Sequence, residues 1–192
     1  MRVNLPAPFE GLERLAASGY NGYTMSSSPA QSPARVFVQQ NKDWVIGGAF
    51  GLTSKRGGLQ HGFRMQWQRS DQGDWWLFLQ GDGAPEPIGF FPGSIYGGGP
   101  MASAAQRIDF GGEVCAGIGS AGTGQMGSGQ PAAEGFGFAA FHKQITFLGS
   151  DGQSHAAVLT PDQPTPQCYT VAVHQDDPNW QTYFFFGGSG CA

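Results

Sequence analysis

The sequence predicts an all-β protein built as an antiparallel β-sandwich, either whole or lacking its first strands. Three observations predict this class. The 192 residues include 32 glycines and 13 prolines, which divide the chain into short segments. These segments are apolar and aromatic, with 15 phenylalanines among them, and they recur at short intervals. The length also suits a single domain that buries a sizeable core.

The predicted strands follow one another from Arg35 onward, with turn residues such as SDQGD and GSDGQ between them. The clearest is HGFRMQWQRS, which places Phe63, Met65 and Trp67 on one face and polar side chains on the other. The predicted strand segments are RVFVQQ, DWVIGGAFGL, LQHGFRMQWQRS, DWWLFLQG, PIGFFPGSIY, QRIDFGGEVCAG, GFGFAAFHKQITFLG, SHAAVLT, CYTVAVHQ and WQTYFFFGG.

The first part of the chain has a different pattern. PFEGLERLAAS spaces Phe9, Leu12 and Leu15 as one face of a short helix, and SSSPAQSPA has the composition of a linker. We therefore expect residues 1–34 to be a helical or disordered N-terminal tail and residues 35–192 to be the sandwich domain.

Charge and hydropathy limit the partners. Fourteen acidic residues against ten basic ones give a net charge of -4, which argues against a nucleic-acid footprint. No apolar run approaches the roughly 20 residues of a membrane span, so no membrane is expected. The first residues, MRVNLPAPFEGLERLAAS, lack the apolar run of an export signal. The sequence does not indicate an oligomeric state.

No cofactor or metal is expected. GIGSAG at 117–122 has the spacing of a dinucleotide fingerprint but lacks the helix start that the motif needs. The four histidines have no paired spacing and the cysteines form no CxxC, so a metal site has no support. We expect the histidines to be ordinary surface or half-buried residues.

The three cysteines, Cys115, Cys168 and Cys191, leave two possibilities open. A disulfide between Cys168 and Cys191 would tie the C-terminus to an upstream strand and stabilise the fold by about 3 kcal/mol in the chain-entropy model. The alternative is three reduced thiols.

Glu113, in the segment FGGEV, is the candidate catalytic residue. Strand alternation puts Ile108 and Phe110 on the opposite face from Glu113, and Gly111 leaves a hollow beside the carboxylate that a substrate backbone can enter. Asp109 is about 13 Å along the strand, so a second acid would come from a neighbouring strand. The alternative is a surface glutamate at a strand end, with glycine forming a bulge.

Eight short motifs, in order along roughly 155 residues, resemble a neprosin-type domain, and they match the C-terminal half to two-thirds of that domain. They are FVQ (37–39), DWWL (74–77), IGFFP (88–92), FGGEV (110–114), QMGSG (125–129), GFGFAAF (135–141), CY (168–169) and YFFFGGSGC (183–191).

The resemblance implies a secreted glutamic peptidase with an antiparallel β-sandwich that cuts after proline in acid. It implies that Glu113 is the second of two catalytic glutamates and that Cys168 and Cys191 form a disulfide. The family's first glutamate lies in a segment like IEAGW, and residues 1–36 contain no counterpart. The second catalytic carboxylate is therefore not identifiable here.

Two functions follow, and whether this chain is itself an enzyme stays open. The first is an acid peptidase acting on proline-containing peptides, with Trp75 or Tyr96 lining a pocket for the proline ring and the glycine-rich loop with Gly127 and Ser128 donating backbone N–H groups. The second is an inactive or truncated relative that binds peptide or cell-wall polymer. A third interpretation is that the chain is an incomplete gene product, which also leaves open whether this chain is itself an enzyme. Aromatic strand residues such as Trp75 and Trp76 more often fill cores, and a serine such as Ser128 is more often a turn residue.

Overall fold

The computed structural model describes residues 2–4, 13–18, 37–44, 51–112, 114 and 124–191. Twelve strands lie in these ranges, with three short 3-10 helices at Gly93–Tyr96, Pro100–Ala102 and Ala132–Glu134. The strands are β1 (Arg2–Asn4), β2 (Glu13–Ser18), β3 (Val38–Gln39), β4 (Phe63–Arg69), β5 (Trp75–Gln80), β6 (Glu86–Phe91), β7 (Asp109–Gly111), β8 (Ala140–Leu148), β9 (Ser154–Ala156), β10 (Thr160–Asp162), β11 (Thr170–Asp177) and β12 (Gln181–Gly187).

The described strands form two antiparallel sheets, so the predicted all-β class is confirmed. The larger sheet has the order β11-β12-β8-β2-β4-β5-β6-β3, with β9 also paired to β8. The smaller sheet has the order β10-β1-β7. Most predicted segments contain a strand, because alternating apolar residues in each need one buried face. The segment at 45–50 lies outside the described residues.

The expected N-terminal helix is wrong for the residues that the structure describes. Glu13–Ser18 is a strand that lies between β4 and β8 and pairs with both. A helical pattern of this length is marginal on its own, whereas the inner edges of β4 and β8 need a pairing partner for their backbone groups. The division of the chain at residue 34 stays a prediction.

The core lies between the two sheets. Phe110 of β7 and Leu159 beside β10 pack in one cluster with Ile145 of β8 and Phe184 of β12, and the last two are fully buried. A bulge in β8 at Gln144, where φ is 55°, shifts the register with β2. Because of this bulge, the buried side chains His142 and Ile145 both belong to the inner face although they are three residues apart.

Candidate active site

The strand that precedes Glu113 has the two faces that its alternation predicts. Ile108 and Phe110 are buried, whereas Arg107 and Asp109 are exposed. Val114 packs against the core cluster. Glu113 itself lies outside the described residues, as does Cys115.

Gly112 is held against two other motifs. A Cβ built at this position would lie 2.6 Å from Cε2 of Phe186 and 3.0 Å from Cγ of Met126. Phe186 belongs to the YFFFGG segment and Met126 to QMGSG. The glycine next to Glu113 is therefore required by close packing.

The QMGSG turn is joined to the end of β12. The backbone N–H of Met126 donates to the carbonyl of Gly188 at 2.9 Å, and the N–H of Gly188 donates back at 3.3 Å. Gly127 has a left-handed φ of 61°, and a Cβ there would lie 2.6 Å from the Cβ of Ala140 in the GFGFAAF motif. The turn thus ties three of the motifs together.

The hydroxyl of Ser128 holds this turn. It donates to the carbonyl of Phe138 and accepts the N–H of Gln130 at 3.2 Å. These bonds suit a turn residue. The expected roles of Gly127 and Ser128 as substrate contacts stay predictions.

The CY motif closes the same region. Cys168 and Cys191 form a disulfide with their Cα atoms 4.8 Å apart, as the resemblance implied. The hydroxyl of Tyr169 donates to the carbonyl of Gly124 at 2.8 Å. Two motifs thus contact Gly112 through Phe186 and Met126, and the GFGFAAF and CY motifs pack in turn on Gly127 and Gly188 of those two.

Trp75 and Tyr96 line one cleft, and their role as a pocket for a proline ring stays a prediction. The volume of the cleft is about 260 Å³, and the other lining residues are mostly apolar. Burial raises the pKa of the Tyr96 hydroxyl. Trp75 is only 3% exposed, so it serves the core as well as the cleft. The full lining consists of Trp67, Trp75, Phe91, Tyr96, Met101, Ala105, Arg107, Ile108 and Asp109.

The loop that carries Tyr96 is anchored on the β4–β5 hairpin. The indole N–H of Trp75 donates to the carbonyl of Met101 at 2.7 Å, and Nε of Arg69 donates to the carbonyl of Ala102 at 2.8 Å. The carboxylate of Asp74 accepts the N–H of Gly93 at 2.8 Å. These three bonds hold the loop, and with it Tyr96, against the hairpin.

Asp109 is the one carboxylate among the residues that line this cleft. Its Oδ1 lies 2.9 Å from Nε of Arg107 in an ion pair. The ion pair holds the Asp109 carboxylate beside the guanidinium of Arg107 at the edge of the cleft. The described part of the chain does not identify a second catalytic acid.

His142 is buried, so the expectation that all four histidines are surface or half-buried residues is wrong for this one. Its side chain is 5% exposed, and neither ring nitrogen reaches hydrogen-bond geometry with a described residue. Desolvation lowers its pKa from 6.5 to about 4, and the nearby Gly111 backbone offsets part of the shift. His142 of β8 pairs with Phe184 of β12 and shares that face of the sheet with Phe186, and this pairing explains its burial.

The described residues hold neither a metal-binding cluster nor a membrane-spanning helix. They contain no group of three or more histidine, cysteine or acidic side chains arranged to hold a metal ion. They also contain no helix that is long and apolar enough to cross a membrane.

Comparison with known protein families assigns most of this chain to a family. The family model described as Neprosin matches residues 27–189, which is most of the chain. The chain belongs to the neprosin family. This membership confirms the resemblance on which the sequence analysis relied and places the chain in a peptidase-like family. The motifs that meet around Gly112 are thus neprosin motifs brought together by the fold.

Proposed function

We propose that this chain is a glutamic-peptidase-like domain that hydrolyses peptide bonds after proline under acidic conditions, with Glu113 as a catalytic carboxylate. The observation that carries the proposal is the close packing of Phe186 and Met126, from two other motifs of the resemblance, on Gly112, directly before Glu113 in sequence. Gly112 and Val114, on either side of Glu113, both contact core residues. Rigid neighbours of this kind favour a site that must hold a reacting group in one place.

In this mechanism the Glu113 carboxylate acts as general base or general acid on a water molecule that attacks the peptide carbonyl. Such proton transfer contributes roughly 10²- to 10⁴-fold to a rate. A second carboxylate takes the opposite role, and mild acid is the condition in which two neighbouring carboxyl groups share one proton.

The cleft lined by Trp75 and Tyr96 is the proposed pocket for the proline ring. Its aromatic walls suit a flat, apolar ring, and the Tyr96 hydroxyl supplies one polar group to orient it. We propose that the turn with Gly127 and Ser128 lines the substrate path and offers backbone N–H groups to the developing oxyanion. No cofactor is part of the proposal, and the partner is a proline-containing peptide or protein.

The test is hydrolysis of a proline-containing peptide in mild acid by the wild-type chain and by Glu113→Gln. We expect Glu113→Gln to abolish the activity, since its amide cannot exchange a proton. Glu134→Gln is the matched control, because Glu134 is an exposed glutamate in the 3-10 helix Ala132–Glu134 and should leave the rate unchanged. Equal hydrolysis by wild type and Glu113→Gln would end the proposal.

A second candidate function is peptide binding without hydrolysis. The observation that favours it is that the described lining of the cleft holds a single carboxylate, that of Asp109, which is paired with Arg107. In that case the wild-type chain and Glu113→Gln would bind a proline-containing peptide equally well, and neither would cleave it. Fluorescence of the cleft tryptophans during a peptide titration measures this directly.

We also propose that the protein works outside the cell. The disulfide between Cys168 and Cys191 supports this location, because such bonds persist in oxidising compartments. Family membership is compatible with it.

A further inference from the structure

A second pocket lies on the opposite face of the large sheet from the Trp75 cleft. On β4 and β5, the paired residues Trp67 and Leu77 share the inner face, whereas the pair Arg64 and Gln80 shares the outer face. The outer pocket has a volume of about 380 Å³, a size typical of small-ligand sites. Its lining consists of Gln60, His61, Gly62, Phe63, Arg64, Gln80, Gly81, Phe136, Phe141, Lys143 and Gln144.

Strand register brings two cations to this pocket. Arg64 of β4 and Lys143 of β8 both pair with Ala16 of β2, which runs between them. Two strand spacings put their backbones about 10 Å apart on the same face of the sheet. Both side chains line the pocket, and none of the described residues that line it is acidic.

Neutral groups hold both cations in position. The guanidinium of Arg64 donates to Oε1 of Gln80 at 3.1 Å, and Nε2 of Gln80 is itself fixed on the carbonyl of Gly83 at 2.8 Å. The ammonium of Lys143 lies 5.0 Å from the ring centroid of Trp180. Within the described ranges, no carboxylate forms an ion pair with Arg64 or Lys143. Two oriented positive charges without an acidic partner favour an anionic ligand.

An aromatic surface borders the cations. Phe136 is 54% exposed, yet its ring is fixed by edge contact with Trp180 at 5.3 Å and by Phe141 at 5.5 Å. The negative face of such a ring attracts the C–H face of a sugar ring, which carries a partial positive charge. The side-chain amide of Gln144, in the same pocket, offers a donor and an acceptor to hydroxyl groups.

The position on the sheet argues against an extended peptide as the ligand. Strands β4 and β8 are interior strands with neighbours on both sides, so their backbone N–H and C=O groups are used in the ladders. A peptide that adds to a sheet needs a free edge. The backbone of β4 and β8 is therefore not available to pair with a ligand strand, and the side chains of this face carry the recognition.

We propose that this outer pocket binds an acidic saccharide, with a uronate carboxylate between Arg64 and Lys143 and the sugar ring against Phe136. The site is separate from the proposed peptidase cleft and does not depend on Glu113. It would attach the domain to an acidic polysaccharide and leave the cleft lined by Trp75 and Tyr96 unoccupied.

The test is calorimetric titration of the wild-type chain with a short oligogalacturonide at low salt and about pH 6, where the ligand is ionised. We expect measurable binding that weakens as salt is added. The methyl-esterified oligomer of the same length should bind at least about tenfold more weakly, because it lacks the charge.

Two variants assign the binding to this pocket. Arg64→Gln and Lys143→Gln should each lower the affinity about tenfold, whereas Lys42→Gln, an exposed cation outside the pocket, should leave it unchanged. Thermal unfolding checks that each variant is folded. Because Arg64 is exposed, Arg64→Gln decides the question if Lys143→Gln fails to fold.

Several results would overturn the proposal. They are no binding of the oligogalacturonide, equal binding of its methyl ester, or an equal loss of affinity in Lys42→Gln. Tighter binding of a short oligoglutamate than of the saccharide would also overturn it and would make the pocket an acidic-peptide site.

Discussion

The imidazole of His142 stacks on the phenyl ring of Phe184, with the ring centroids 4.9 Å apart and the planes 20° apart. Phe184 is fully buried, and the ring of Phe186 lies 5.3 Å from the same imidazole. A titratable ring therefore lies inside the hydrophobic core, close to the backbone of Gly111 that leads to Glu113. This arrangement makes the stability of the fold sensitive to acid.

The first prediction concerns this pH dependence. The pKa of His142 is 6.5 in the unfolded chain and about 4 in the folded one, so between these values the unfolded state binds more protons. The free energy of unfolding should be at its full value above pH 6.5 and fall as the pH drops toward 4, by on the order of 3 kcal/mol. Urea unfolding across this range measures it.

His142→Leu should remove this part of the pH dependence, because leucine has similar bulk and no proton to bind. His174→Gln is the control, since His174 is exposed and its replacement should leave the slope as it is. An unchanged slope in His142→Leu would show that other groups cause the acid sensitivity. Because the free energy of unfolding should fall in acid, peptidase activity should be measured at pH values where the wild-type chain is still folded.

The second prediction concerns the glycine before Glu113. Gly112→Ala places a Cβ against Phe186 and Met126, and overpacking of this kind costs about 1–3 kcal/mol. Gly83→Ala is the matched control, because no heavy atom lies within 4 Å of a Cβ at that position. If the two variants unfold at the same urea concentration, the packing of Gly112 is not a constraint.

The third prediction concerns the disulfide. Replacing both Cys168 and Cys191 by serine should lower the free energy of unfolding by about 3 kcal/mol, given that the bond spans a sequence separation of 23. A reducing agent should destabilise the wild-type chain by a similar amount and leave the double variant unchanged. Destabilisation of the double variant by the reductant would point to a different cause.

The fourth prediction concerns the loop over the cleft. Trp75→Phe leaves the carbonyl of Met101 without its indole donor, which should cost about 1–3 kcal/mol and increase hydrogen exchange at residues 100–104. Trp76→Phe is the control, because the half-buried Trp76 is on the opposite face of β5 and stacks on Phe90. Equal exchange in both variants would contradict an anchoring role for Trp75.

Much of the fold could be predicted from local pattern. The alternation of Phe63, Met65 and Trp67 with polar residues predicted β4, and the burial of Ile108 and Phe110 followed the same rule. Such strands are predictable because each needs only one apolar face. The helix predicted from the short pattern at Glu13–Ser18 is wrong, because the strand that forms there depends on pairing with β4 and β8, which are far away in sequence.

By itself, the sequence determined the all-β class, the neprosin family and the candidate carboxylate Glu113, because these depend on residue order and local alternation. Only the tertiary structure decided that Gly112 packs on Phe186, that His142 is buried against Phe184, and that Arg64 and Lys143 flank one strand. The physical reason is that strand pairing joins residues that are distant along the chain. A side chain acquires its dielectric environment and its charge partners only when those strands meet.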